Sequence, residues 1–120
     1  TVTIADTTAP VADVVSLSNI NSQCAITSLT FPTATDNCAG TITATTTTTF
    51  PITASTTIVW KYTDGVNESQ QNQTVTIADT VAPVADAVSL PNINSQCAIT
   101  SLTAPTATDA CAGTITATTT

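Results

Sequence analysis

Thr57-Ile58-Val59-Trp60-Lys61-Tyr62-Thr63 sets large apolar side chains at 58, 60 and 62, with Val59 and Lys61 between them. A period of two is that of a strand with one buried face. The segment therefore predicts a β-strand whose inward residues Ile58, Trp60 and Tyr62 form the centre of a core. Trp60 is the only Trp in the 120 residues, and Phe31, Phe50 and Tyr62 complete the aromatic set. Across the turn Asp64-Gly65-Val66-Asn67-Glu68-Ser69, Gln71–Ala78 reads as the partner strand, with Val75 and Ile77 inward. Further strands are expected near Val11–Leu17, Cys24–Leu29, Thr33–Cys38, Thr41–Thr46 and Phe50–Ala54, divided by Pro, Gly, Asn and Asp. Thr, Ala, Val and Ile dominate the chain, and β-branched residues fit a pleated surface better than a helix. No window keeps helical spacing for more than a turn, and no apolar run approaches the ~18 residues of a membrane span. The expected fold class is all-β, with seven short strands forming an immunoglobulin-like antiparallel sandwich. An odd strand count places the two ends of such a module at opposite poles.

The hairpin belongs to a repeat. Thr1-Val2-Thr3-Ile4-Ala5-Asp6 returns as Thr74-Val75-Thr76-Ile77-Ala78-Asp79, an offset of 73 residues that carries Cys24 to Cys97 and Cys38 to Cys111. Residues 1–47 match 74–120 at all but five positions: Thr8/Val81, Val14/Ala87, Ser18/Pro91, Phe31/Ala104 and Asn37/Ala110. Tandem self-similarity of this kind is the mark of an array. Residues 1–6 read as the closing strand of a preceding module, 7–79 as one complete module, and 80–120 as the N-terminal part of the next. That part has no copy of the Trp60 strand with which to close its core, so the parent molecule is expected to continue.

Charge and cysteines bound the function. The formal charge is −7, and Lys61 is the only basic residue. One cation cannot neutralise a row of phosphates, so nucleic acid and anionic membranes are not expected partners, nor is membrane insertion of this segment. Cys24 and Cys38 have 13 residues between them, as do Cys97 and Cys111. Four cysteines allow three pairings, and repeat symmetry favours Cys24–Cys38 and Cys97–Cys111, each stapling adjacent strands around a hairpin apex near Phe31-Pro32. Zinc is disfavoured, because the chain has no His and no closely spaced Cys pair. Disulfides in turn point to an oxidising, extracellular location.

Pro32-Thr33-Ala34-Thr35-Asp36-Asn37-Cys38-Ala39-Gly40-Thr41-Ile42-Thr43, then Phe50-Pro51, then Thr57 through Gly65, then the Val75–Ile77 strand running into Asp79-Thr80-Val81-Ala82-Pro83, resembles the hyalin-repeat-like (HYR) immunoglobulin-like module. Similar Thr-rich, Cys-containing tandem copies occur in very large surface adhesins of gliding Bacteroidetes. The resemblance implies a β-sandwich, export to the cell surface and a part in adhesion or filament formation. The chain departs from that pattern at Ala110, which replaces Asn37, and in the turn after Asp64-Gly65, which lacks Gly-Asn.

Catalysis is not expected, since no His is available as a base and the acids are scattered one per turn. Calcium is the candidate cofactor, because hard cations need several oxygen ligands and these turns carry Asp, Asn and Glu. In the seven-strand reading, Asp36 falls beside the Asn19–Gln23 loop at the pole from which Asp79 leaves, and Asp86 follows at the top of the next module. These three carboxylates are the candidate ligands; against them stands the simpler role of each Asp as a local turn former. Lys61 alternates outward and suits a stem lying over the sheet rather than an internal cross-link. Asn67-Glu68-Ser69 and Asn72-Gln73-Thr74 match glycan acceptors, which arise easily in so Thr-rich a chain. Taken together, the sequence predicts a stalk, spacer or fibre segment of a large extracellular bacterial adhesin. Its partners would be neighbouring repeats, other chains of a fibre, and a surface ligand of unknown chemistry. The competing reading is a module that itself binds glycan or protein weakly and gains by avidity.

Overall fold

The computed structural model describes residues 1–120, which form β-strands and loops with no helix. The chain folds as two compact units, Thr1–Ala78 and Asp79–Thr120.

In the first unit, β1 (Val11–Ala12), β3 (Thr33–Asp36) and β4 (Gly40–Thr43) make an antiparallel sheet in the order β1-β3-β4. The second sheet has the order β2-β6-β5, from β2 (Ile20–Ser22), β5 (Thr56–Thr63) and β6 (Glu68–Ile77). The β5–β6 hairpin is antiparallel over its whole length, with Trp60 opposite Gln71. β2 instead runs parallel to β6, Ile20 facing Val75 and Ser22 facing Ile77. Reciprocal backbone hydrogen bonds between Thr45 and Lys61, 2.8 Å each, join the two sheets at one edge. The core takes Ala34 from the first sheet and Ile58, Trp60, Tyr62 and Val75 from the second, with Ala44 and Ile52 from the loops. Ile58 and Trp60 are wholly buried and Tyr62 nearly so. Phe31 tilts over Trp60 with ring centroids 4.8 Å apart.

The entry segment is tied to β6 along its length. Asn67 Nδ2 donates to the Asp6 carbonyl (3.2 Å), Ser69 Oγ to that of Pro10 (2.5 Å), Gln71 Nε2 to that of Val14 (2.6 Å) and Gln73 Nε2 to that of Ser18 (2.9 Å). The β2 ladder follows, and the Ala78 amide donates to the Ser22 carbonyl at 3.0 Å. The chain thus enters beside the 64–67 turn and leaves at the far end of β6. We call these ends the entry pole and the exit pole. Ten residues of β6 at ~3.3 Å each put about 30 Å between them.

Several sequence expectations are corrected. Cys24–Leu29 and Phe50–Ala54 are not strands: each contributes only to the Ile26–Ile52 bridge. The partner of β3 is β4, not the segment after Cys24, so no hairpin turns at Phe31-Pro32. Val11–Leu17 shrinks to β1, because its later carbonyls are taken by glutamine side chains rather than by a ladder. Thr1–Asp6 has no strand partner, although its copy lies in β6 up to Ile77.

In the second unit, β7 (Val84–Ala85), β8 (Thr106–Asp109) and β9 (Gly113–Thr116) repeat β1, β3 and β4 in order and register. No strand forms at the copy of β2, and none of its apolar residues is fully buried. Leu90 and Ile93 are each 60% exposed, whereas their counterparts Leu17 and Ile20 pack on the core of the first unit.

Candidate functional site at the entry pole

The most chemically crowded place in the first unit is the β3–β4 turn. Asp36 pairs with Gly40 across a three-residue loop, and Gly40 has φ +77°, the left-handed residue that such a hairpin needs. Asp36 Oδ1 accepts the amides of Cys38 and Ala39, both at 2.8 Å, so the carboxylate itself builds the loop. Its Oδ2 is buried and takes no hydrogen bond from the protein. Asp6 reaches the same spot, accepting the Thr8 amide (3.1 Å) and hydroxyl (3.0 Å), while the Thr8 hydroxyl also donates to Asn37 Oδ1. Carboxylate oxygens of Asp6 and Asp36 and the Cys38 sulfur lie within 4.8 Å of one another. Burial pushes the Cys38 thiol above its ordinary 9.0, and the charges of Asp6, Asp36 and Asp64 push the same way. At neutral pH Cys38 is therefore a protonated thiol, neither an activated nucleophile nor a thiolate ligand.

The second unit repeats this arrangement. Asp109 Oδ1 accepts the amides of Cys111 (2.8 Å) and Ala112 (2.7 Å), Gly113 has φ +75°, and Asp79, Asp109 and Cys111 again cluster within 4.8 Å. The amides of Ala112 and Cys111 hold the Asp109 carboxyl below its ordinary value.

Within the first unit, Asp36 does not lie beside the Asn19–Gln23 segment as the calcium reading expects. Asp36 stands at the entry pole with Asp6, a module's length from the Asn19–Gln23 segment and from Ala78, after which Asp79 follows. Asp86 is committed elsewhere, accepting the Thr106 and Thr108 hydroxyls just as Asp13 accepts those of Thr33 (2.5 Å) and Thr35 (2.6 Å). What the fold gathers instead is two carboxylates and a thiol, short of the roughly six to eight oxygens that calcium takes.

The cysteines also depart from expectation. Cys38 and Cys97 are free thiols, so neither Cys24–Cys38 nor Cys97–Cys111 forms. The reason lies in the first unit: Cys24 follows Ser22 at the exit pole, and Cys38 sits at the entry pole. Disulfides need Cα atoms within about 7 Å. Lys61 pairs with Glu68 on the surface, a contact of little energetic weight between two half-exposed side chains.

Asp6, Gln71 and Gln73 escaped the sequence reading, and each carries structure. The one available signal was the spacing of Gln71, Gln73 and Val75, which share a strand face. No protein-family model matches the chain, and no curated protein or solved structure does. No helix is long and apolar enough to cross a membrane.

The carboxylates give the first unit a defined acid response. Hydroxyls of Thr33 and Thr35 hold Asp13 below its ordinary 3.8, and amides of Asn67 and Val66 do the same for Asp64. A carboxyl whose folded value is depressed contributes fully above its unfolded value and loses that contribution as pH falls through the folded one. Melting temperature should hold from pH 7 to about 4 and fall below it; Asp13→Asn should flatten the fall. A melting temperature that rises on acidification would contradict the bonding described for both residues.

Proposed function

We propose that the chain is a non-catalytic spacer: a run of immunoglobulin-like modules in the stalk or fibre of a large extracellular bacterial adhesin. The observation that carries this reading is the path through the first unit, entering beside Asn67 and leaving beyond Ile77 at the opposite pole. A module so threaded adds its own length to a string, as a spacer requires, and the 73-residue sequence period supplies the string. The linker supports it: Asp79-Thr80-Val81-Ala82-Pro83 is too short to behave as a coil, and Pro83 restrains Ala82 to extended backbone. An exported protein with a disulfide suits the oxidising exterior.

Small-angle scattering from chains of two, three and four complete modules tests this. The maximum dimension should rise by a constant increment of about 30 Å or more per module, the strand length estimated above. Growth as the square root of module number, the behaviour of a freely jointed chain, would refute the spacer reading.

A further inference from the structure

We propose that the first unit binds a divalent cation of the zinc class at its entry pole, through the carboxylates of Asp6 and Asp36 and the sulfur of Cys38. The site lies wholly within that unit and does not depend on the spacer reading.

Asp36 supplies the observation that points to a ligand. It is only 5% exposed, yet the fold uses one of its two carboxylate oxygens. Oδ1 takes the amides of Cys38 and Ala39, while Oδ2 is buried and receives no hydrogen bond from the protein. A buried carboxylate oxygen without a partner is costly, and buried charges are as a rule paired or bound to metal. No side-chain cation meets it, because Lys61 is the only basic residue and its ammonium is taken by Glu68. Around it stand other electron-rich groups. Asp6, Asp36 and Cys38 each bring a ligand atom within 4.8 Å of the other two, and Asp64 adds its charge to theirs.

The donor set selects the cation. Two carboxylates give calcium too few oxygens, and calcium does not seek sulfur. Zinc and its softer analogue cadmium accept oxygen and sulfur together in four-coordinate sites, where a water can fill the fourth place. The lack of His and of a close Cys pair told against zinc; here two carboxylates stand in for them. Bonds of 2.0–2.3 Å set tetrahedral donors about 3.4–3.6 Å apart, so atoms already within 4.8 Å need only a small inward movement. Cys38 is exposed and Asp6 half-buried, which leaves both free to make it, while Asp36 is fixed by its two amides. Without a cation the Cys38 thiol is protonated. On binding, its S–H bond breaks as the sulfur–metal bond forms, the electron pair stays on sulfur and the proton leaves to solvent. The cation fastens Asp6, in the entry segment, to the β3–β4 turn, and so stabilises the folded unit that binds it.

Cadmium is the probe, because its bond to a thiolate gives an ultraviolet charge-transfer band. In a 120-residue Cys24→Ser/Cys97→Ser/Cys111→Ser chain, Cys38 is the only thiol. Titration at neutral pH should show one bound cadmium with that band, displaced by zinc, and a higher melting temperature with either metal. Asp36→Asn keeps an Oδ1 to build the turn and removes the Oδ2 ligand; Asp6→Asn removes the other carboxylate. Even an outer-shell partner is worth about 10–100-fold to a metal site, so each variant should bind at least about tenfold more weakly. A second measurement needs no cysteine substitution: in the unaltered chain, kept reduced with a phosphine, zinc should slow alkylation of Cys38 at least about tenfold, and should not do so in Asp6→Asn. Equal cadmium affinity in the Asp36→Asn or Asp6→Asn forms would overturn the proposal, marking a lone thiol that takes up metal unaided. So would a Cys38 alkylation rate that zinc leaves unchanged. A Cys38→Ser chain whose melting temperature rises with calcium would overturn it too, in favour of a site made of oxygens alone.

Discussion

Replacing Trp60 with Ala is expected to remove about 3–5 kcal/mol from the first unit, the usual cost of deleting a large buried aromatic. Trp60 is fully buried at the centre of β5, Phe31 packs on its ring, and its Nε1 donates to Gln73 Oε1 at 2.9 Å. The same Gln73 amide binds the Ser18 carbonyl, so the truncation also loosens the strap that holds the entry segment to β6. Domains commonly hold only about 5–15 kcal/mol in total, and the loss should appear as a large drop in the urea midpoint. An unchanged midpoint would mean that the Ile58–Tyr62 face does not form the core.

The second large effect should come from Gln71. Its Oε1 accepts the Tyr62 hydroxyl (2.8 Å), and its Nε2 donates to the carbonyls of Val14 (2.6 Å) and Val15 (3.2 Å). Gln71→Ala strands a nearly buried phenol together with two backbone acceptors, at about 1–3 kcal/mol for each group left unmet in the interior and less where water reaches it. Gln71→Glu is the discriminating companion. It still accepts from Tyr62 but cannot donate to either carbonyl, so it should recover only part of the loss. Equal stability for the glutamine and alanine forms, read by thermal melting, would show that the entry segment is held by other means.

The β5–β6 hairpin was legible because its alternation is local and its partner is adjacent in sequence. The β3–β4 hairpin was legible too, since Asp36 and Gly40 carry their own turn chemistry. β2 was not. Ile20 is the lone apolar residue in Asn19-Ile20-Asn21-Ser22, and the segment becomes a strand only because Val75 to Ile77 lie beside it. The second unit shows this directly: an identical Asn92-Ile93-Asn94-Ser95 without such a neighbour forms no strand, whereas β7, β8 and β9 form as their counterparts do. The cysteine pairing failed for the same reason. Placing Cys24 on a hairpin with β3 put both cysteines at one end, and only the parallel pairing of β2 with β6 sends Cys24 to the other. The entry-pole cluster was half visible: Asp36 and Cys38 are close in sequence, while Asp6 arrives through the Asn67 amide.

The parallel course of the entry segment and β6 also decides how the first unit answers a pull. Tension applied at Asp6 and Ala78 drags residues 10–22 toward one pole and β6 toward the other, so the two slide past each other along their shared axis. The bonds from Ser69, Gln71 and Gln73 and the β2 ladder all lie across that motion and are loaded at once, not peeled one after another. Sliding by one residue, about 3.3 Å, takes every rung out of register together. Resistance to extension is therefore set by the number of rungs that share the load, and the side-chain amides that replace a continuous ladder are part of that number.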